Sequence, residues 1–301
     1  MPDCLDLFSS FFLFLWAILL DFSVSDDPKS RAASTYNAAA DFFDAPPLAF
    51  WDRIGRRSVE KAALRAGAHV LDVCCGAGAS ALPAAEAVGG NGRVVGVDLA
   101  ENLLHLARQK TQHRGLANTE FRHADVESLD PAAESFDAVI CVFGIFFLPD
   151  MDMPAAVRHL WKLLRPGGNL VITTWGPRVL EPGNSIFWDA VRAERPDLYK
   201  SFNPWERINE PRGLSGMLLE AGVTADEVHA ESDHQPLESP EDFWTIVLGS
   251  GYRGTIEQLD PAARERVRRA VLHGLSELKP RSVETNAVYA IARKPTIPLA
   301  S

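Results

Sequence analysis

Apolar and polar positions fall into alternating blocks along this 301-residue chain. Short unbroken apolar runs, bounded by glycine, proline or charged residues, predict buried strands near 69–73, 93–98, 119–122, 136–142 and 169–175. Between them apolar residues recur at helical spacing. Strand and helix therefore alternate, which is the pattern of a parallel sheet covered on both faces. Residues 211–222 predict a further amphipathic helix ending at Ala221-Gly222, 224–232 a sixth strand and 286–293 the last one. Ahead of the first strand, residues 30–66 read as helical. Ala32, Ala33, Ala38, Ala39, Phe42, Phe43, Leu48, Phe50, Trp51 and Ile54 make the apolar face, broken at Pro46-Pro47. Two stretches, 176–210 and 236–283, stand outside the alternation. The second opens on the cap-like Ser239-Pro240-Glu241-Asp242 and holds a charged helix at 261–279.

In the first strand–helix unit, Val70-Leu71-Asp72-Val73 runs into Cys74-Cys75-Gly76-Ala77-Gly78-Ala79-Ser80, a glycine turn that opens a helix. Asp98 closes the second strand, twenty residues after Gly78. This is the layout of a nucleoside crevice: glycines let the ligand approach the backbone, and the carboxylate accepts from ribose hydroxyls. Gly76-Ala77-Gly78-Ala79-Ser80-Ala81 fits the loose dinucleotide pattern G-x-G-x-x-A, which would make the protein an NAD(P)-dependent oxidoreductase. Asp72 argues otherwise. A carboxylate four residues before the first glycine repels a pyrophosphate and suits a ligand with an ammonium and a sulfonium centre.

Here the chain resembles the class I S-adenosylmethionine (SAM) methyltransferases, whose first motif is D/E-x-G-x-G-x-G. It stands as Asp72-Val73-Cys74-Cys75-Gly76-Ala77-Gly78, with Cys74 in place of the first glycine. Phe121-Arg122-His123-Ala124-Asp125-Val126-Glu127 is similar to the segment whose acidic residue bonds the adenine amino group. Phe136 to Gly144 is similar to the fourth strand and the loop under the methionine part of the cofactor. Leu163-Leu164-Arg165-Pro166-Gly167-Gly168-Asn169-Leu170-Val171-Ile172 resembles the helix end, turn and fifth strand, with proline stopping the helix and glycine supplying the reversal. Tyr36-Asn37-Ala38-Ala39-Ala40-Asp41-Phe42-Phe43-Asp44 resembles the Y-D-x-x-A-x-x-Y-D stretch of the ubiquinone/menaquinone-type, type 11-like group, where it covers the cofactor.

The resemblance implies an α/β fold: a Rossmann-like, seven-stranded, mostly parallel sheet with helices on both faces and a helical lid. It implies SAM as cofactor, with Asp72, Cys74, Gly76, Gly78, Asp98, Leu99, Asp125, Val126 and Val142 around it. The chain then divides into an apolar segment (1–24), a helical cover (25–66), the SAM-binding core (67–175) and a lid insertion (176–210). A core helix and strand (211–235), a helical lid (236–283) and the last strand with its tail (284–301) complete it.

Composition narrows the function. An apolar fraction of 47% and a charged fraction of 23% are those of an ordinary globular protein. A net charge of −10 argues against nucleic acid, which calls for a basic face. A small molecule is the expected partner. Cys4, Cys74, Cys75 and Cys141 form no disulfide framework, which points to a reducing cytoplasm. Three of them fall near the tips of strands one and four. They could bind a soft acceptor such as trivalent arsenic, or simply pack around the cofactor. No metal-ligand spacing appears. The apolar run Phe8 to Leu20 lacks a basic flank and is short for a membrane span. It reads as a docking or membrane-association segment, a packed N-terminal helix, or an artefact of start-site choice, since ordinary composition begins near Val24. Membrane association would run only through residues 1–24.

The reaction expected is in-line displacement at the sulfonium methyl by an oxygen, nitrogen or carbon of the acceptor. The same cofactor residues would also serve a SAM-binding regulator without turnover. The insertions carry Phe187, Trp188, Tyr199, Phe202, Trp205, Phe243, Trp244 and Tyr252, and two or three of these rings are expected to meet a planar or apolar acceptor. For a general base the candidates are His229, His234 and His273, with Tyr36 as a further group that touches cofactor or acceptor, or anchors its helix.

Overall fold

The computed structural model describes residues 27–130, 135–148 and 152–296. The predicted runs become β1 (His69–Val73), β2 (Arg93–Asp98), β3 (Thr119–His123), β4 (Phe136–Val142), β5 (Leu164–Trp175), β6 (Glu227–Glu231) and β9 (Ala287–Arg293). They form one sheet in the order β3-β2-β1-β4-β5-β9-β6, with β9 antiparallel to both neighbours. This is the Rossmann-like arrangement anticipated. Two three-residue strands, β7 (His234–Pro236) and β8 (Ser282–Glu284), pair separately. Strands this short carry no periodicity, and the pattern of the chain did not show them.

The central strands read as unbroken apolar runs because both of their faces are buried. In β1, Leu71 and Val73 enter one core cluster while Val70 enters the other; in β4, Val139 and Cys141 part from Ala138 and Ile140 in the same way. On the second cluster lie α3 (Ala81–Val88) and the Val59 side of α2 (Phe50–Lys61). On the first lie Phe50, Trp51 and Ile54 of α2, Leu103 of α4 (Glu101–Arg114), and the apolar faces of α5 (Met153–Leu163) and α7 (Pro211–Glu220).

The cover begins with α1 (Pro28–Phe43). Asp27 caps it by accepting from Ser30 N at 3.0 Å, and Pro28 occupies the first turn, where a missing N–H costs nothing. A 3₁₀ turn at Pro46–Leu48 separates α1 from α2, at the break the two prolines predict. The strand expected at 169–175 starts earlier, at Leu164. The bend at Gly167 (φ +82°) stays on the sheet because its N–H donates to Lys294 O at 2.8 Å.

The two insertions form α6 (Gly183–Glu194), α8 (Pro240–Leu248), α9 (Arg253–Ile256) and α10 (Pro261–Leu278). Helix α6 packs on α10, and α8 and α9 pack on α1. Gly254 lies so close to Thr35 that a Cβ there would meet its hydroxyl at 2.4 Å. The segment 1–24 lies outside the described residues, and among those described no helix is long and apolar enough to cross a membrane.

Candidate active site

Strand order reverses between β1 and β4, and in open α/β sheets the ligand crevice lies at that point, beyond the carboxyl ends of the strands. A cleft opens there, about 980 Å³ with the solvent space at its mouth included. Its floor is the turn after β1, one side is the end of β2 with the turn after β3, and the other side is the tip of β4. Its roof is a stripe of α1, Lys29, Ala32, Ala33 and Tyr36, at the i, i+3, i+4, i+7 spacing of one helix face.

Asp98 binds the floor to the side wall. Its Oδ2 accepts from Gly76 N and its Oδ1 from Ala100 N, both at 2.8 Å. A carboxylate has about four acceptor positions, so each oxygen keeps room for a ligand hydroxyl. Burial pushes its pKa up from the ordinary carboxylate value, and the backbone N–H groups oppose that. Asp125 caps the 3₁₀ turn Val126–Ser128 by accepting from Glu127 N at 3.0 Å, and it takes a second bond from Lys29 Nζ at 2.6 Å. Val126 is steadied from behind, its carbonyl hydrogen-bonded to His159 Nε2 at 3.0 Å.

At the tip of β1, Cys74 is left-handed (φ +54°), and at the tip of β4 so is Phe143 (φ +55°). Phe143 begins the aromatic wall. It stacks on Trp175 at 4.0 Å and meets the edge of Trp51 at 5.5 Å; Trp51 lies flat on Phe43 at 5.4 Å. Tyr36 completes the wall edge-on to Phe43 and to Phe147. Burial pushes the Tyr36 phenol well above the ordinary tyrosine range, and Asp98 and Cys74 add to the rise. It is a neutral donor here, not a base.

Of the nine residues expected at the cofactor, Cys74, Gly76, Asp98, Leu99, Asp125, Val126 and Val142 border the cleft. Two do not. Asp72 has no solvent exposure and turns beneath the floor to Ser80, because its place in β1 directs it at the start of α3. Gly78 faces the helices: a Cβ there would stand 2.3 Å from Leu82 Cδ1 and 3.4 Å from Ala107 Cβ, at φ +84°. Its glycine is required by the turn and by helix packing, not by ligand space.

The candidate histidines lie elsewhere. His229 sits on edge strand β6 among Lys61, Glu227 and Glu231, against the Tyr289 ring. His234 is on β7 and His273 on α10, both exposed. The insertion aromatics do not border this cleft either. Phe187, Trp188, Phe243 and Tyr252 pack on one another, and Trp205 on Phe146. The three thiols also part company. Cys74 and Cys141 flank Gly144, whereas Cys75 Sγ lies against Gly96 of β2. Among the described residues no group of three His, Cys, Asp or Glu could hold a metal ion. Phe143 falls in the loop expected under the methionine part of the cofactor, whereas Lys29, Phe147 and Leu148 were not foreseen at the site. For the last two the sequence position, a few residues after the fourth strand, was the available signal.

The wall fits a nucleoside carrying a sulfonium. It offers two carboxylates, Asp98 and Asp125, as hydrogen-bond acceptors, and aromatic rings of the kind whose faces attract a cation. A family model described as a methyltransferase domain matches residues 70–168. Nocamycin O-methyltransferase of Saccharothrix syringae is 30% identical over 259 residues, 80% of this chain and 89% of that protein.

The chain belongs to the class I SAM-dependent methyltransferases.

This methyltransferase also shares 36% identity over 108 residues with demethylmenaquinone methyltransferase of Oceanobacillus iheyensis, 36% of this chain and 44% of that one. Haemonchus contortus phosphoethanolamine N-methyltransferase 2, solved with phosphomonomethylethanolamine and S-adenosylhomocysteine, has the same fold: TM-score 0.52 and 17% identity, covering 89% of this chain and 60% of that one. SAM is thus the methyl donor, and the nicotinamide reading of the glycine turn falls. The left-handed backbone of Cys74 also accounts for the glycine that the motif has at that position.

Proposed function

We propose that this methyltransferase methylates an oxygen of a planar, apolar small molecule held against Tyr36, Phe43, Trp51, Phe143 and Phe147. The observation that carries the reading is that wall: five rings border the cleft beside the glycine turn, and aromatic faces reward flat acceptors with large contact area. Oxygen as the acceptor atom is supported by the 30% identity to an O-methyltransferase over most of both chains.

In this reading Asp98 takes the ribose hydroxyls, Asp125 the adenine amino group, and Leu99, Val126 and Val142 pack on the apolar parts of the cofactor. When bound, SAM supplies a methyl carbon made electrophilic by its sulfonium. The chain's own part is to align the acceptor and exclude water, and such alignment supplies on the order of 7–11 kcal/mol. Among the described residues no histidine borders the cleft, and Tyr36 stays protonated. An acceptor oxygen that ionises readily by itself, as in a phenol or an enol, fits such a wall, its proton leaving to solvent. The free thiols of Cys74, Cys75 and Cys141 suit a reducing cytoplasm as the place of action.

The test is turnover of isotope-labelled SAM with hydroxyquinones, phenols and cyclic enols, beside phosphoethanolamine as a polar amine. Label in an O-methyl product of a flat acceptor supports the reading. Turnover of the amine alone, or label on carbon alone, overturns it.

A further inference from the structure

Lys29 lies in the first turn of α1, yet it borders the cleft on the side of the turn after β3. Its ammonium donates to Asp125 Oδ2 at 2.6 Å and also to Glu127, both on that turn. Water reaches the pair only in part: the side chains are 21% and 32% exposed for Lys29 and Asp125. The far half of α1 is fastened separately. Asn37 Oδ1 accepts from Asn102 N at 2.9 Å, Asn37 O accepts from Asn102 Nδ2 at 3.1 Å, and Asp44 accepts from Lys110 at 2.8 Å. Between these fastenings the roof stripe is Ala32, Ala33 and Tyr36, and the two alanines, with their small side chains, leave space beneath the helix next to Lys29.

We infer that Lys29 is a clamp of the cofactor site: it ties the start of α1 to Asp125 and Glu127 across the purine end of the cleft, so that the nucleoside enters and leaves only when this ion pair parts. The inference rests on the placement of adenine at Asp125 proposed above. Two physical effects follow from the geometry. The Lys29 side chain spans the cleft edge to Asp125 and Glu127 and must swing aside before a purine can reach Asp125, which slows arrival. A nucleoside seated under the roof excludes water from the pair and strengthens its attraction, which slows departure. The clamp is therefore a kinetic device more than an affinity device, and it weakens as salt screens the charges.

The experiment follows S-adenosylhomocysteine binding to the full chain by stopped-flow tryptophan fluorescence, to which Trp51 at the cleft contributes. It compares wild type, Lys29→Met (unbranched, one atom shorter, no charge) and Lys29→Arg. Association and dissociation should both quicken in Lys29→Met, by roughly three- to tenfold, with the Kd moving less than either rate. Lys29→Arg should restore slow exchange. Raising salt from about 0.05 to about 0.5 M should quicken the wild type and leave Lys29→Met unchanged. Unchanged rates, or a faster dissociation matched by an equal rise in Kd, would overturn the clamp. The Asp98→Ala variant in the same assay checks the cofactor placement on its own: if it binds as the wild type does, the placement fails and the clamp with it. If Asp98→Ala weakens binding while Lys29→Met exchanges at the wild-type rate, only the clamp falls.

Discussion

The Ser80 hydroxyl reaches both carboxylate oxygens of Asp72, at 2.9 and 2.8 Å, where Asp72 has no contact with solvent. Burial pushes Asp72 up to about 7; the Ser80 and Ala81 bonds oppose that rise and the charge of Asp98 adds to it. The folded-state value lies above the ordinary 3.8. Between these two values the folded protein holds a proton that the unfolded chain has lost, so stability falls as pH rises through that window. Above it, an ionised carboxylate is buried. Asp72→Asn keeps the Ser80 bond without the charge, and at about pH 8 it should stabilise the cofactor-free protein on the order of 1–3 kcal/mol. The gain should fade below about pH 4. Thermal unfolding across pH reads this out, and an equal loss of stability at every pH would refute it.

Asp98 carries two duties, tying Gly76 and Ala100 and facing the cleft. Hydrogen bonds to a charged acceptor are worth about 1.5–3 kcal/mol each, so Asp98→Ala should weaken SAM binding by roughly ten- to a hundredfold or more. Asp98→Asn, which keeps one acceptor, should fall between. Calorimetric titration orders the three proteins, and an Asn variant no tighter than Ala would assign the loss to the turn alone.

Cys74 holds a left-handed backbone that costs an L-residue about 1–2 kcal/mol. Glycine removes that strain and adds unfolded-state entropy of comparable size. Cys74→Gly should therefore unfold within about 1 kcal/mol of wild type and bind SAM as well. Cys74→Val, branched at Cβ, should lose roughly 2–4 kcal/mol through strain and overpacking against Gly144 and Cys141. Denaturant melts of both variants decide, and a tolerated valine would contradict the strain.

The histidine assignments invite a negative result. His234→Ala and His273→Ala alter exposed side chains away from the cleft. Both should leave kcat and the pH profile of methyl transfer unchanged. A tenfold fall in kcat for either would return it to the list of bases.

Much of this molecule was readable in its sequence, and the reasons are local. Unbroken apolar runs mark central parallel strands because both faces of β1 and β4 are buried, and the Asp72–Gly78 turn and Asp98 carry their chemistry within a few residues. What could not be read depends on direction. Asp72 and Gly78 belong to the motif, yet one points beneath the floor and the other at Leu82 and Ala107. The insertions are rich in rings, but Phe187 and Phe243 fill their interior, while the cleft borrows Phe43 and Trp51 from the N-terminal helices. Lys29 is separated from Asp125 by 96 residues, and no spacing rule connects a helix start to a turn so distant.

The short ladder of β7 and β8 has a bearing on how such an enzyme diversifies. His234–Pro236 lies beside Ser282–Glu284, and Leu237 N donates to Arg281 O at 2.9 Å, so the whole intervening stretch departs and returns through one doorway. A segment attached at a single doorway behaves as a cassette. Its length and contents can be exchanged without rethreading the sheet or shifting the register of β9. Its helices α8 and α9 nevertheless rest on α1, the helix that carries Tyr36 and Lys29. New cassettes can thus shift the roof of the cleft, with Tyr36 and Lys29 in it, while the glycine turn and Asp98 stay untouched.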